Sequence, residues 1–357
     1  MTHAVTRTDG LEIEQLAVPG FEDVRLAAGP STGLRSIVAI HDTTLGPALG
    51  GTRFFPYADA DAALHDVRRL SEGMTHKAAA AGLALGGGKA VIIGDPAVLK
   101  SPDLLRAYGR FVDSFGGRYI TAADIGTNSD DLDVIGETTS HVVGRTVAAG
   151  GLGDSGHSTA LGVFVSMRAA AEVVLDRSLQ DLTIGVEGIG KVGLELVGLL
   201  HAAGAKVVVT DPSEAARRRA VAAYPDVEVV DDVLEVFLDA YAPCALGATV
   251  TSGVARELSA RIVCGAANNQ LVAPEAEYRM AERGIVWVPD FVANAGGLIQ
   301  VAAERDGAAL DGARARIHQL GETVTDILER AAAEAATPGE AAQRIVADRL
   351  AGSITRD

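Results

Sequence analysis

The stretch LTIGVEGIGKVGLELVGLLHAAGAKVVVTDP (residues 182–212) decides the fold of the second half of this chain. An apolar run leads into Gly188-x-Gly190-x-x-Gly193, an amphipathic segment follows, and a second run of valines ends at Asp211. This order predicts a strand, a glycine turn, a helix and a strand. The glycines permit a tight turn and let a pyrophosphate approach the helix N-terminus, where free N–H groups and the helix dipole favour an anion.

The turn therefore predicts a dinucleotide site, and Asp211 predicts which dinucleotide. A carboxylate at the tip of the second strand can accept hydrogen bonds from a ribose 2′-hydroxyl and repels a 2′-phosphate, which favours NAD over NADP. The nearby arginines 217–219 are expected to form a solvated helix face. The alternative is a glycine turn that binds no ligand. The residues predicted to hold the cofactor here are Gly188, Gly190, Lys191, Val192, Gly193 and Asp211.

Composition excludes several classes of function. The chain has 357 residues and a net charge of −16, so a nucleic acid or an anionic membrane would repel it. Its two cysteines, Cys244 and Cys264, form no CxxC or Cys/His cluster, and its histidines form no metal-binding pair, so neither a disulfide framework nor a metal site is expected. No signal peptide is recognised, and we expect a cytoplasmic protein.

The rest of the second half continues the same rhythm. Short strands are predicted at VEVV, IVCGAANN and GIVWVPD, alternating with helices, which is typical of a parallel, doubly wound sheet. The glycine- and serine-rich segment AAGGLGDSGHSTA (148–160) predicts a domain boundary. We therefore expect an α/β chain of two domains, with residues 1–150 carrying the substrate and catalytic groups and residues 151–334 forming a Rossmann NAD-binding domain.

In the first half, RSIVAIHD (35–42) predicts a buried strand and residues 59–82 predict a helix. Between them, LGPALGGTR (45–53) is interpreted as a glycine-rich turn. PDLLRAYGRFVDSFGG predicts a second helix, and RYITAADIGT predicts a strand that enters a loop. Near the C-terminus, TPGE (337–340) predicts a helix start with threonine as its N-cap.

The segment GLALGGGKAVIIGDP (82–96) places Lys89 directly after three glycines. It is not a P-loop, because Leu83 stands where that motif needs glycine, Ala90 where it needs a hydroxyl, and a strand follows in place of a helix. We interpret the glycines as letting the backbone approach a substrate, which leaves Lys89 as the reacting side chain.

Lys77, Lys89 and Asp124 form a candidate catalytic group. Both lysines lie among small apolar residues, where burial and a neighbouring like charge would lower a lysine pKa and suit a general base, and a nearby carboxylate can relay protons. The alternative is two lysines that cover apolar surface and an aspartate that caps a helix.

Amide side chains follow two predicted strands of the second domain. Asn268, Asn269 and Asn294 come just after strand ends, where doubly wound sheets bind ligands, and their amides can orient a carboxylate or a nicotinamide. Asn268, Asn294 and Thr159 complete the predicted cofactor site. The alternative for the asparagines is a role in local turns.

Seven blocks of this sequence together resemble the glutamate/leucine/phenylalanine/valine family of amino-acid dehydrogenases. The resemblance is greatest to the leucine and valine members, although TNSDDLD is more similar to the phenylalanine members. The blocks are GPALGGTRFFPY, GMTHKAAAAGLALGGGKAVIIGDP, GGRYITAADIGTN, VEGIGKVG, DAYAPCALGA, CGAANNQL and VPDFVANAGGLIQVA.

The resemblance implies NAD-dependent, reversible oxidative deamination of an L-amino acid to a 2-oxo acid and ammonia. It implies that Lys77 binds the substrate carboxylate, that Lys89 activates water, that Asp124 relays protons, and that Gly50 and Asn269 hold the substrate. It also implies a cleft between the domains, C-terminal helices (about 335–357) that pack back onto the first domain, and a homo-oligomer.

The resemblance also bears on the substrate side chain. Glutamate members have a lysine in the GPxKGG turn, whereas this chain has Leu49, which would leave a second carboxylate buried without a partner. The implied pocket wall is apolar and favours valine, leucine or isoleucine, with phenylalanine as the alternative. Its residues are Leu49, Met74, Ala122, Leu298 and Val301.

Two other functions remain open from the sequence: a non-catalytic NAD-binding regulator and a cyclodeaminase-type lyase that retains its NAD. The presence of Lys77, Lys89 and Asp124 together favours the dehydrogenase over the regulator.

Overall fold

The computed structural model describes residues 5–354, which divide into two compact units. The first contains the chain up to Asp154, together with Val301–Leu310 and the segment from Asp348. The second contains Ser155–Gln300 and Asp311–Ala347. These units differ from the domains expected from sequence in three segments, since residues 151–154 and 301–310 group with the first unit and residues 335–347 with the second.

The first unit is built on a seven-stranded mixed sheet with the order β1-β2-β3-β4-β6-β5-β7. Neighbouring strands from β1 to β4 are antiparallel, β6 is antiparallel to β4, and β5 is parallel to both β6 and β7. The strands are β1 Val5–Thr8, β2 Leu11–Leu16, β3 Asp23–Gly29, β4 Leu34–Asp42, β5 Ala48–Phe55, β6 Gly86–Ile93 and β7 Tyr119–Ala123.

Helices cover both faces of this sheet. Alternate residues of a strand point to opposite faces, so Ala90 packs in one apolar cluster with the α3 residue Tyr108, and Val91 packs in another with the α1 residue Val67. Asp59 caps α1 by accepting a hydrogen bond from Ala62 N at 2.8 Å. The helices are α1 Ala60–Ala80, α2 Pro96–Leu99, α3 Pro102–Asp113 and α4 Ser129–Ile135.

Two glycine-rich segments lie in strands, and one of them was expected to be a turn. Residues 45–53 were predicted as a turn, but β5 begins at Ala48, and β6 already includes Gly86. The glycines are needed because neighbours lie too close for a side chain: a Cβ on Gly87 would lie 2.1 Å from Thr75 Oγ1 of α1, and one on Gly88 would lie 2.8 Å from the Tyr119 ring. At these two positions the protein's own side chains lie where a Cβ would be, and the approach of this backbone to a substrate stays a prediction.

The second unit contains a six-stranded sheet, parallel throughout, with the order β10-β9-β8-β11-β12-β13. Numbered within this sheet, that order is 3-2-1-4-5-6, the doubly wound arrangement of dinucleotide-binding domains. The predicted parallel sheet is confirmed. Its strands are β8 Thr183–Glu187, β9 Lys206–Thr210, β10 Glu228–Val229, β11 Ala240–Pro243, β12 Ile262–Val263 and β13 Val286–Trp287.

Ten further helices are described between residues 156 and 354. They are α5 Gly156–Leu175, α6 Lys191–Ala202, α7 Glu214–Ala223, α8 Ser252–Glu257, α9 Glu275–Glu282, α10 Asp290–Ala293, α11 Gly296–Arg305, α12 Leu310–His318, α13 Leu320–Glu334 and α14 Pro338–Ile354. The predicted start of α14 is confirmed, because Thr337 Oγ1 accepts a hydrogen bond from Glu340 N and the Glu340 carboxylate accepts one from Thr337 N.

Helix α5 is the one helix among the described residues with the length and apolar composition of a membrane span. Its mean hydropathy over the most apolar window is 1.4, but 61% of that window is buried within the fold. It packs against α6 and α13, so its apolar character is that of a core helix.

We predict that Gly87→Ala lowers the free energy of unfolding by about 1–3 kcal/mol, because the added methyl group overlaps Thr75 and forces α1 away from the sheet. Gly73→Ala on the same helix is the control, because nothing lies within 4 Å of its Cβ position. It should be neutral or stabilise by up to about 1 kcal/mol. Urea unfolding of both variants at one protein concentration tests this, and equal midpoints would contradict it.

Candidate active site and nucleotide-binding turn

Two predicted catalytic residues are in direct contact in the first unit. Lys89 lies on β6 and is 7% exposed, and its Nζ is 2.5 Å from Asp124 Oδ2. Asp124 follows β7 in a turn closed by Thr127, whose N–H donates to Asp124 O and whose Oγ1 accepts from Asp124 N at 2.9 Å. Gly126 completes this turn at φ +80°, with its Cβ position 2.1 Å from Phe54 O. The hydrogen bonds of this turn therefore fix the backbone position of Asp124.

The site includes a cation that the sequence analysis missed. Arg53, on β5, places Nε 3.4 Å from the same Oδ2 of Asp124. Burial raises the pKa of Asp124, but the charges of Lys89 and Arg53 outweigh it and lower that pKa to about 2. Alternate residues of a strand share a face, so a strand over these residues would have placed Arg53 on the same face as Leu49, four residues earlier. The sequence analysis interpreted residues 45–53 as a turn and therefore did not identify Arg53.

The structure places the carboxylate that was expected near the lysines in direct contact with one of them, since Asp124 Oδ2 lies 2.5 Å from the Lys89 amine. Lys77 lies half-buried on α1, three residues after Met74 and so on the same side of the helix.

The apolar residues of the predicted pocket wall on the sheet share the face of Lys89. Leu49 on β5 is 1% exposed and Ala122 on β7 is 6% exposed. Leu49 pairs with Gly87 on one side and with Ile120 on the other, so alternation puts Leu49, Lys89 and Ala122 on one face of three adjacent strands. This face therefore places the contact between Lys89 and Asp124 beside the apolar side chains of Leu49 and Ala122.

Gly50 has a structural reason to be glycine. A Cβ there would lie 1.7 Å from Gly88 O, and Gly50 O accepts a hydrogen bond from the Tyr119 hydroxyl at 2.7 Å. Of the other predicted substrate residues, Val301 groups with the first unit, while Asn269 and Leu298 group with the second.

The second unit presents the predicted glycine turn between β8 and α6. Gly188 has φ +89° and its Cβ position is 2.6 Å from Ala245 Cβ, while a Cβ on Gly193 would lie 2.0 Å from Gly188 O. Gly190 is the N-cap of α6 and makes no side-chain cap, and no atom lies within 4 Å of its Cβ position. Two glycines therefore close the turn, and the third leaves the helix N-terminus open to an anion, so these residues fit a dinucleotide.

Asp211 follows β9 and binds this turn. Its Oδ2 accepts a hydrogen bond from Ile189 N at 2.9 Å and its Oδ1 accepts one from Ser213 N at 2.8 Å. Each carboxylate oxygen keeps a further lone pair, so the group can also accept from a ribose hydroxyl. Arg217 and Arg218 form ion pairs with Asp231 and Glu214, and Arg218 is 71% exposed, as expected for a solvated helix face.

The predicted asparagines of the second unit form one cluster. Asn294 Nδ2 donates to Asn268 Oδ1 at 2.8 Å and to Ala266 O at 3.1 Å. Asn294 is 4% exposed, and its Oδ1 accepts no hydrogen bond from the described residues. Asn269 adopts φ +53°, the left-handed conformation that asparagine tolerates. Thr159 lies in the first turn of α5 and donates to Ser155 O.

Gln270 supports this cluster and was not predicted. Fully buried, it donates through Nε2 to Gly265 O and Ala267 O, and its Oε1 accepts from Trp287 Nε1 at 3.0 Å. Its position in the sequence block CGAANNQL was a signal, but only the tertiary contact with Trp287 explains the residue. Between residues 5 and 354, no group of three or more His, Cys, Asp or Glu side chains could hold a metal ion.

Comparison with protein families gives two matches on this chain. Residues 21–141 match the family model of the Glu/Leu/Phe/Val dehydrogenase dimerisation domain. Residues 210–340 match the family model of the glutamate/leucine/phenylalanine/valine dehydrogenases.

Individual relatives align over nearly the whole chain. Valine dehydrogenase of Streptomyces albus is 47% identical over 94% of this chain and 94% of its own length. Leucine dehydrogenase of Bacillus cereus is 43% identical over 96% and 94%. Among solved structures, L-tryptophan dehydrogenase from Nostoc punctiforme is 40% identical, covers 95% of this chain and 97% of its own, and superposes with a TM-score of 0.81.

The lowered pKa of Asp124 predicts a pH dependence of stability. A carboxyl that titrates near 2 in the folded state and near 3.9 when unfolded stabilises the fold above about pH 5, and this contribution is lost as the pH falls. Between about pH 5 and pH 3, wild type should lose about 1 kcal/mol more of its free energy of unfolding than Asp124→Asn. Urea unfolding at each pH measures this, and parallel pH profiles would contradict it.

Proposed function

The chain belongs to the glutamate/leucine/phenylalanine/valine dehydrogenase family and is an amino-acid dehydrogenase, and we propose that it oxidatively deaminates branched-chain L-amino acids with NAD. The overall reaction converts the amino acid, NAD⁺ and water to the 2-oxo acid, an ammonium ion, NADH and a proton. The observation that carries the proposal is the buried contact of 2.5 Å between Lys89 and Asp124 on a sheet face whose neighbouring residues are apolar.

Each side chain has a distinct role in this proposal. Lys77 binds the substrate α-carboxylate, and Gly50 and Asn269 hold the amino acid. Lys89 takes a proton from the water that attacks the imine carbon, and Asp124, 2.5 Å away, passes protons between Lys89 and the substrate nitrogen. NAD, when bound, supplies the two-electron acceptor for the substrate α-carbon.

The apolar residues around the ion pair support a neutral substrate side chain. Leu49 is almost fully buried. Ala122 pairs with Gly51, which is two residues after Leu49 on β5, so Ala122 lies on the same face of the sheet as Leu49. A glutamate side chain would place a second carboxylate against Leu49 with no cation to pair with it, which is costly. Valine and leucine dehydrogenases are among the relatives with the highest identities, in agreement with a branched-chain substrate.

The glycine turn and Asp211 support NAD as the cofactor. Gly188, Gly190 and Gly193 would hold the pyrophosphate at the start of α6, and the free lone pairs of Asp211 would receive the ribose hydroxyls. Thr159, Asn268 and Asn294 would contact the nicotinamide half. The carboxylate of Asp211 would repel the 2′-phosphate of NADP.

We further propose that the protein is a cytoplasmic homo-oligomer. Its two cysteines are free thiols, in keeping with a reducing compartment. The family model that matches residues 21–141 describes a dimerisation domain. The acidic surface, with a net charge of −16, argues against nucleic-acid or membrane partners.

A panel of L-amino acids tests the function. We expect NADH formation with valine, leucine and isoleucine, and a kcat/KM for glutamate at least about 100-fold lower, because its carboxylate would be buried unpaired. NADH absorbance at alkaline pH measures the rates. If no amino acid in the panel yields NADH, the proposal is overturned. If phenylalanine has the highest kcat/KM, the proposed substrate is phenylalanine and not a branched-chain amino acid.

Lys89→Met should lower kcat by about 100-fold or more while NAD binding is retained, because the variant keeps the aliphatic stem and loses the base. Lys100→Met is the matched control: Lys100 forms an ion pair of 2.7 Å with Asp131 in the same unit, outside the proposed site. Steady-state kinetics and calorimetric titration with NAD separate the effects. Near-normal turnover of Lys89→Met would remove this residue from the mechanism.

Asp211→Asn should reduce the preference for NAD over NADP by about tenfold, because it removes the charge that repels the 2′-phosphate while keeping an oxygen that can bond the turn. The control is Asp231→Asn, which alters a fully exposed carboxylate paired only loosely with Arg217 at 3.8 Å. The ratio of kcat/KM for the two cofactors is the measurement. An unchanged ratio in Asp211→Asn would contradict the role of this residue.

A further inference from the structure

We propose that Arg53 is a positioning residue for the reaction, because its guanidinium joins Asp124 to Asp66 and so holds the Asp124 carboxylate against Lys89. The inference rests on the proposed function, since it concerns how the proton-relaying carboxylate is kept in place. The sequence motifs did not single out Arg53 as a candidate site residue.

The geometry links three strands and a helix through charged groups. Arg53 on β5 has Nε 3.4 Å from Asp124 Oδ2 and Nη1 2.8 Å from Asp66 Oδ2 on α1. Lys89 lies on β6, which is separated from β7 by β5, and its Nζ is 2.5 Å from the same Asp124 oxygen. Arg53 and Asp66 are each 17% exposed and Asp124 is 18% exposed, so water screens these contacts poorly.

Asp66 is itself held firmly, which makes Arg53 a rigid support. The Tyr57 hydroxyl donates to Asp66 Oδ2 at 2.6 Å, and Arg69 Nη2 donates to Asp66 Oδ1 at 3.0 Å. Burial raises the pKa of Asp66, and hydrogen bonds from Tyr57 and the charges of Arg53 and Arg69 outweigh it, so the pKa lies below the usual range. Asp66 is therefore an anion that fixes the far end of the Arg53 guanidinium.

Arg53 differs from Lys89 in one property that matters for the relay. A guanidinium stays charged throughout, whereas the Lys89 amine must gain and lose a proton in each turnover. When Lys89 is neutral, Arg53 is the cation that still contacts Asp124. The carboxylate therefore keeps one fixed partner through the cycle, which preserves its orientation toward the reacting groups.

The charged and titratable groups around Asp124 determine how its pKa should change when Arg53 is replaced. Lys89 and Arg53 contact the carboxylate, and Asp66 lies behind Arg53. Tyr57 and Arg69 donate hydrogen bonds to Asp66, and Lys77 also lies on α1. Removing the Arg53 charge leaves burial, Lys89 and the hydrogen bond from the Ile125 backbone N–H to act on Asp124, so its pKa should rise from about 2.

The test compares Arg53→Gln with Arg69→Gln. Both remove a guanidinium from Asp66, but only Arg53 also contacts Asp124. With L-valine we expect Arg53→Gln to lower kcat by about 10- to 100-fold with little change in KM, and Arg69→Gln to behave like wild type. Arg53→Lys, which keeps the charge but not the planar fork, should fall between them.

The pH profile of kcat provides a readout that a purely structural role would not move. In wild type, Asp124 stays ionised over the assay range, so it contributes no acidic limb. In Arg53→Gln the raised pKa of Asp124 should make kcat fall at a higher pH than in wild type when the profile is extended to acidic pH. A wild-type kcat and pH profile in Arg53→Gln, or equal losses in Arg53→Gln and Arg69→Gln, would overturn the proposal.

Crystal structures of wild type and Arg53→Gln separate this inference from the proposed function. The Asp124 carboxylate should turn away from Lys89 in the variant, whether or not the wild-type protein oxidises any amino acid. An unchanged contact between Asp124 and Lys89 would refute the positioning role. If wild type shows no NADH formation while the carboxylate does turn away, the proposed function fails and the structural role of Arg53 stands.

Discussion

The close approach of β5, β6 and α1 is the constraint on which the candidate site depends. Gly50 and Gly88 sit so close that a Cβ on the first would lie 1.7 Å from the carbonyl of the second, and Gly87 admits Thr75 of α1 at a distance no side chain would allow. Strands this bare of side chains are weak by propensity. The helices that pack on both faces stabilise these strands. The same packing fixes the distance between Lys89 and Asp124.

Electrostatics explains why a buried ion pair is tolerated at this position. A lysine and an aspartate removed from water would gain little stability as an isolated pair, because desolvation offsets their attraction. Here the carboxylate contacts two cations, and the second, Arg53, is held by Asp66, which lies on the helix that the glycines bring to the sheet. The same packing therefore sets both the position and the ionisation of the carboxylate, in a protein whose overall charge is strongly negative.

The sequence predicted the second unit better than the first. In the second, Gly188, Gly190 and Gly193 follow one strand and open one helix, so the signal is local and the strand order follows from known winding rules. In the first unit the three N-terminal strands were not predicted, and the glycine-rich strand β5 was expected to be a turn. Glycine signals a turn when only its neighbours are considered, whereas the reason for Gly87 and Gly88 lies in Thr75 and Tyr119.

The same difference explains why Arg53 escaped the sequence analysis while Lys89 and Asp124 did not. Lys89 is conspicuous because small residues surround it, and Asp124 because a glycine turn follows it. Arg53 follows an unremarkable threonine, and its partners are 13 and 71 residues away in the chain. Here the proposed catalytic residues are flanked by small residues and glycines that can be seen in the sequence. A residue that holds another side chain is recognised only when the pairing of the strands is known. Supporting residues of this kind are therefore the part of an active site for which coordinates add most to sequence.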